Sequence, residues 1–150
     1  MAQQEVFTAE DGYPALERFF LQTGAAHIFL VCGRSICRLA LDAFFQALPR
    51  RTGIRVTRFS GFQPNPQYDS VVEAVRQFRE EECSLVVAVG GGSAIDVAKC
   101  VKLYAELDPS RCYLEQEPAP NGIRLLAVPT TAGSGSEATR FSVLYRNNRK

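Results

Sequence analysis

The sequence predicts an α/β protein, a doubly wound and mostly parallel sheet with helices on both faces. Three observations carry that expectation. Four short apolar runs recur along the chain: His27 to Cys32 (HIFLVC), Ile54 to Phe59 (IRVTRF), Leu85 to Val89 (LVVAV) and Arg124 to Val128 (RLLAV). Segments with apolar residues at helical spacing separate them. Three of the runs are nearly continuous rather than alternating, as strands are when both faces of a parallel sheet are covered. Alternation of the two element types then implies crossover connections of one hand.

The elements follow in order. Tyr13 to Gln22 places Leu16, Phe19 and Phe20 on one helical face, ahead of the first strand. Ile36, Leu39, Ala40, Ala43 and Ala47 form a second stripe, expected to close at Pro49 and Gly53. The second strand alternates more than the others, which puts it nearer an edge. A Pro-Asn-Pro turn opens a third helix carrying Val71, Val72, Val75 and Phe78, and Ala94, Val97, Ala98 and Val101 mark a fourth. Arg140 to Tyr145 (RFSVLY) has strand propensity and meets Asn147-Asn148, a turn signal. That pattern predicts a hairpin whose second strand lies outside the sequence, so the chain is expected to be cut from something longer. A frayed edge strand is the alternative.

Composition narrows the function classes. A chain of 150 residues makes one domain. Its 46% hydrophobic and 22% charged residues are ordinary for a globular protein. A formal net charge of +1 shows no general affinity for nucleic acid or a membrane surface. The start, MAQQEVFTAEDG, has no basic region followed by an apolar run. No apolar stretch approaches the roughly 20 residues that span a bilayer. Cys32, Cys37, Cys83, Cys100 and Cys112 form no CxxC pair and are odd in number, so buried reduced thiols and a cytoplasmic setting are expected.

The strongest chemical signal is Leu85 to Cys100, LVVAVGGGSAIDVAKC. A buried strand runs into Gly90-Gly91-Gly92, then Ser93 and a helix. Glycines let the backbone turn sharply and approach a ligand, and the helix start offers unpaired N–H groups with a positive dipole end, a seat for a pyrophosphate. Ser93 and Asp96 have the spacing of a capping-box pair, and Asp96 and Lys99 that of an ion pair along one helix face. If the site is real, a carboxylate there belongs on the sugar or nicotinamide side rather than at the phosphates. The Walker spacing is missing, and Ile95 stands where a dinucleotide fingerprint would have its third glycine. A formal GxGxxA at Gly133 to Ala138 opens onto RFSVLY rather than a helix and is discarded. A second loop, Leu125 to Thr139 (LLAVPTTAGSGSEAT), follows another strand end and offers the hydroxyls of Thr130, Thr131, Ser134 and Ser136. Ligands of open α/β sheets bind outside the carboxyl ends of the strands, near a switch point, so the two loops are expected to line one crevice. The Phe59 to Pro66 loop (FSGFQPNP) is either a rigid connection or a further contact.

In this order, GGGSAIDVAK, PTTAGSGSEAT and the upstream PNP turn resemble the iron-containing (group III) alcohol dehydrogenase family. The resemblance covers about Ile28 to Tyr145 and implies a Rossmann-like, dehydroquinate synthase-like N-terminal domain. It implies hydride exchange between a nicotinamide cofactor and a small alcohol or aldehyde, with a divalent metal, iron or zinc, polarising the substrate oxygen. By motif, Gly91, Gly92 and Ser93 would hold the pyrophosphate and Asp96 would sit near the nicotinamide. Thr130, Thr131 and Ser134 would contact the cofactor from the facing loop, and Asn65 and Pro66 would border the adenosine.

Two departures shape the expectation. The family's metal ligands, an aspartate and three histidines, are expected beyond Lys150 in a helical domain absent from this chain, and the single histidine, His27, reads as structural. Without that domain the chain is expected to be inactive and to self-associate, while the whole enzyme is expected to be a homo-oligomer. The second departure lies in Val31-Cys32-Gly33-Arg34-Ser35, where many members carry a carboxylate for the adenosine ribose and this chain has Gly33. Without that carboxylate, and with Arg34 beside it, NADP(H) is expected to be preferred over NAD(H). A dehydroquinate synthase-like or polyol-phosphate dehydrogenase branch, a stand-alone nucleotide-binding module and a flavodoxin-like FMN domain are the alternatives.

Overall fold

A computed structural model of the chain describes residue 6 and residues 12–146. Its order is α1 (Gly12–Thr23), β1 (His27–Cys32), α2 (Ala40–Thr52), β2 (Arg55–Phe59), α3 (Tyr68–Glu80), β3 (Leu85–Gly90), α4 (Gly92–Tyr104) and β4 (Arg124–Pro129). Short 3-10 turns occupy Arg34–Arg38, Tyr113–Glu115 and Ser136–Ala138. The four strands form one sheet in the order β2-β1-β3-β4, and every pair is parallel. This is the α/β architecture the apolar runs predict.

The continuous strands are explained by their two faces. Phe29, Val31, Val86 and Ala88 point into a core shared with α3 and α4, where the Phe29 ring meets Phe78 edge-on at 5.6 Å. Their neighbours Ile28, Leu30, Val87 and Val89 point into a second core with Phe20 of α1 and Phe44, Phe45 and Leu48 of α2. Every residue of β1 and β3 is therefore buried, and alternation disappears. β2 lies at one edge, as its mixed pattern suggests. β4 is the other edge among the described residues and is only half-buried, so its apolar run does not mark a fully covered strand.

Three local expectations give way to tertiary context. The stripe from Ile36 is not one helix, because Leu39 has extended backbone (φ −107°, ψ 146°) between the 3-10 turn and α2. Pro49 does not close α2: it is exposed in the last turn, and the helix ends at Gly53, whose left-handed φ of 77° lets its N–H reach the Pro49 carbonyl at 2.9 Å. RFSVLY is not a sheet strand, since residues 141–144 have no regular structure and Tyr145 makes an isolated parallel bridge to Gln67. Asn147 and Asn148 lie outside the described residues. All five cysteines are free thiols, but only Cys32, Cys83 and Cys100 are buried; Cys37 is exposed and Cys112 half-buried. Burial pushes the Cys83 and Cys100 thiols up to about 12. No helix is long and apolar enough to cross a membrane among the described residues.

One side chain ties the α3–α4 layer together. Arg79 of α3 donates from Nε to the Ala105 carbonyl at 2.6 Å and from a terminal nitrogen to the Tyr104 carbonyl at 3.2 Å, and it also reaches the Leu107 carbonyl. It binds the carbonyl of Tyr104, the last residue of α4, which also takes the Leu107 N–H at 3.0 Å, and two carbonyls just beyond the helix, at its negative end. Arg79→Met should therefore lower stability by about 2 kcal/mol, read as a lower urea midpoint with an unchanged slope. An unchanged midpoint would show that water serves those carbonyls as well.

Candidate functional site

The sheet reverses its growth between β1 and β3. From β1 the chain crosses through α2 on one face to β2, then through α3 on the other face to β3, on the far side of β1. At such a point the two connections leave the strand ends in opposite directions and open a crevice. Gly33 follows β1 there, and Gly90, Gly91 and Gly92 follow from β3. A cleft of about 370 Å³ lies between them, lined by Gly33, Arg34 and Ser35, by Ser60 and Phe62 to Pro64, and by Gly90 to Ala94.

Two different demands act on the glycine turn. Gly90 turns the chain out of β3 at φ +155°, and a Cβ there would stand 2.8 Å from the Ala94 Cβ. At Gly91 the conformation is ordinary, but a Cβ would stand 2.9 Å from Thr131 Oγ1, and at Gly92 it would stand 3.4 Å from the Ser134 Cβ. The glycine turn is thus shaped by the hydroxyl loop packed on it as well as by the space left for a ligand. Gly91 is the N-cap of α4, and the helix closes its first bond from the Ile95 N–H to the Gly91 carbonyl at 3.2 Å. The N–H groups of the first turn have no helical acceptor, and no acidic side chain stands in that turn.

The capping-box expectation for Ser93 and Asp96 is overturned. α4 begins at Gly92, so Ser93 falls inside the first turn, and its Oγ accepts the Asn65 N–H at 3.4 Å. Asp96 faces sideways: Oδ1 accepts the Ser136 hydroxyl at 2.6 Å and Oδ2 the Val143 N–H at 3.1 Å. The expected pairing with Lys99 is present, at 3.7 Å.

The remaining predicted residues fall into three groups. Gly33 and Arg34 line the cleft with Gly91, Gly92 and Ser93. The Arg34 side chain is exposed and enters no ion pair among the described residues. The hydroxyl loop stands behind the glycines: the Thr130 N–H reaches the Gly90 carbonyl at 2.9 Å, Thr131 covers Gly91, and Ser134 covers Gly92. Asn65 adopts a left-handed φ of 58°, and Pro66 is buried, its carbonyl taking the Tyr145 N–H at 3.0 Å. These two hold the turn, while the cleft wall is built by Phe62, Gln63 and Pro64 just before them.

Ser60, Phe62 and Gln63 lie in the FSGFQPNP loop, which the sequence marks as a rigid connection or a further contact, and Ser35 is a wall residue that no motif reveals. Phe62 lies stacked on Phe59 at 6.3 Å and 22°, and Ser60 meets the Cys32 thiol at 3.6 Å. Burial holds the Cys32 thiol above its ordinary value against the pull of that contact, so it is no nucleophile at neutral pH. The only signal for Ser35 in the sequence is that it follows a strand end. His27 is buried at the opposite, amino end of β1, its Nε2 bonded to the Thr57 hydroxyl at 2.8 Å. Among the described residues no group of three or more His, Cys, Asp or Glu can hold a metal ion. A larger trough of about 2560 Å³ runs along the free edge of β4, lined by apolar residues such as Leu16, Phe19 and Leu103. Its volume exceeds that of the cleft, but it lacks the helix start and glycine turn that give the cleft its chemistry.

A profile of the iron-containing alcohol dehydrogenase family matches residues 4–150. The chain belongs to the iron-containing alcohol dehydrogenase family. Among curated members of this family and its neighbours, the choline dehydrogenase of Bacillus subtilis (strain 168) is 37% identical over 133 residues, 85% of this chain and 33% of that protein. The 1,3-propanediol dehydrogenase of Klebsiella pneumoniae is 38% identical over 103 residues, 67% of this chain and 27% of that protein. The crystal structure of a 1,3-propanediol oxidoreductase superposes with a TM-score of 0.77 at 30% identity, covering 90% of this chain and 36% of that one. A sulfoacetaldehyde reductase from Bifidobacterium kashiwanohense, solved in complex with NAD+, gives 0.76 at 27% identity, covering 89% and 36%. The chain thus spans about a third of the length of the alcohol dehydrogenase relatives it matches.

The two kinds of glycine separate by mutation. Gly90→Ala meets both a left-handed backbone and a fixed Cβ, and should cost about 2–3 kcal/mol. Gly91→Ala meets only the end of a threonine side chain and should cost about 1 kcal/mol. Equal costs in urea melts would refute this division.

Proposed function

We propose that this chain is the nucleotide-binding half of an alcohol dehydrogenase or aldehyde reductase and that it holds NADP(H) in preference to NAD(H). The observation that carries the reading is the glycine turn leading into the bare start of α4 at the β1/β3 switch point, with Gly33 and Arg34 on the facing wall. The cleft fits a dinucleotide's pyrophosphate: N–H groups without helical acceptors converge on it, and a side chain at Gly90 would fill its floor. In this reading the backbone of Gly91, Gly92 and Ser93 holds the phosphates. Asp96 stands toward the nicotinamide side, and Thr130, Thr131 and Ser134 back the glycines. Asn65 and Pro66 brace the adenosine wall from behind Phe62 and Gln63.

Bound nicotinamide supplies the hydride chemistry, and this chain's own part is to bind and orient it. In the whole enzyme a divalent metal, iron or zinc, would polarise the oxygen of a small alcohol or aldehyde; among the described residues no group of three or more His, Cys, Asp or Glu can hold it. On the same reading the chain alone binds cofactor without turnover, and the half-buried β4 edge supports association of the protein into oligomers. A cytoplasmic setting accords with the free thiols.

The nucleotide preference rests on position 33. A glycine there presents no carboxylate to repel a 2′-phosphate, and the exposed guanidinium of Arg34 is free to pair with one. Titration of the chain with NADPH and NADH, followed by the cofactor's own fluorescence because the chain has no tryptophan, should give saturable binding. NADPH should bind at least about tenfold tighter, with Arg34→Ala abolishing the difference and Gly92→Leu abolishing binding. NADH binding tenfold tighter than NADPH would overturn the preference, and no binding of either by the folded chain would overturn the cofactor reading.

A further inference from the structure

The hydroxyl loop that backs the glycines is poorly anchored by apolar packing. Between Thr130 and Val143 the only buried residue is Ser136, and the two large apolar side chains, Phe141 and Val143, are 70% and 40% exposed. What fastens the loop is charge. Lys99, facing outward from α4 with its side chain 13% exposed, donates from Nζ to Ser136 Oγ at 3.0 Å, to Thr139 Oγ1 at 3.3 Å and to the Phe141 carbonyl at 2.7 Å. Those three acceptors match the three protons of an ammonium. Asp96, also 13% exposed, pairs with Lys99 at 3.7 Å and accepts the Ser136 hydroxyl and the Val143 N–H.

We propose that Lys99 is a positioning residue for the nucleotide site. Through Ser136 it holds Ser134 behind Gly92, and with it the loop whose Thr131 packs on Gly91, and so supports the shape of the glycine turn. The linkage is continuous: Lys99 bonds Ser136, the Ser136 N–H bonds Ser134 Oγ at 3.4 Å, and the Ser134 Cβ lies 3.4 Å from where a Gly92 side chain would begin. The ammonium has a second effect on the same site. Asp96 stands about one turn along α4 from the phosphate seat, and Lys99 offsets the negative charge it would otherwise bring near a bound anion. Removing Lys99 therefore loosens the loop and leaves a nearly buried carboxylate uncompensated. The inference rests on the cofactor reading of the cleft.

The test is Lys99→Met, with Lys99→Arg as the charge-conserving control, each made in the full chain and checked for folding by circular dichroism. Loop release is read by trypsin cleavage after the exposed Arg140, identified by fragment mass, and site shape by the NADPH dissociation constant. Lys99→Met should speed the cleavage several-fold and weaken NADPH about tenfold, and Lys99→Arg should recover most of both. If Lys99→Met fails to fold, Ser136→Ala should move both readouts in the same direction by less. Unchanged cleavage overturns the proposal, and so does faster cleavage with unchanged affinity, which would leave Lys99 a loop anchor only. Failure of the unsubstituted chain to bind NADPH overturns the cofactor reading, and is told apart because no substitution is involved.

Discussion

The parallel pairing of β1 with β3 is the constraint on which the rest of this molecule depends. Both strands are buried on both faces, so neither can shift register without moving large side chains from one core to the other. Their fixed register, Cys32 opposite Val89, brings the carboxyl ends out side by side and sets Gly33 against the turn at Gly90. Because α2 and α3 lie on opposite faces, nothing bridges the two ends, and the cleft remains between them. The chemistry of the site is then mostly backbone chemistry: a helix start, a turn without side chains and a flanking loop of hydroxyls.

Such a site is supported from behind rather than from within. Thr131 occupies space that a side chain at Gly91 would need, Ser134 packs at contact distance behind Gly92, and the loop carrying them is fastened to α4 by Asp96 and Lys99. The same contacts explain why RFSVLY does not pair as a strand. Its backbone groups at Phe141 and Val143 are taken by α4 side chains, and Tyr145 exchanges hydrogen bonds with Pro66 and Tyr68 instead. The PNP turn, the start of α4 and the last described segment are thereby joined at one place.

What could be read in the sequence, and what could not, divides along physical lines. β1, β3 and α4 were evident because burial on all sides writes itself as continuous apolar composition. The glycine turn was evident because few other roles need three consecutive glycines after a buried strand. Contacts between segments distant in sequence were hidden. Ser93 and Asp96 have capping-box spacing, yet Gly91 caps the helix and Asp96 serves a loop some 40 residues away, as the Ser136 bond records. Leu39 continues the periodicity of α2 while its backbone is extended, since periodicity reports facing and not backbone angle. The loop with Ser60, Phe62 and Gln63 is marked by its prolines, but its role is not, because these residues contribute shape, and shape is set by the Phe59–Phe62 stack and the left-handed Asn65.

The chain belongs to the iron-containing alcohol dehydrogenase family, and the proposed nucleotide seat is the cleft at the switch point. The most direct test is amide hydrogen exchange of the chain with and without NADPH, resolved by residue. Protection should rise at Gly91 to Ile95 and at Gly33 to Ser35, with the β4 trough around Leu103 and Phe141 unchanged. Protection confined to that trough, with the start of α4 unaffected, would contradict the placement of the cofactor at the switch point.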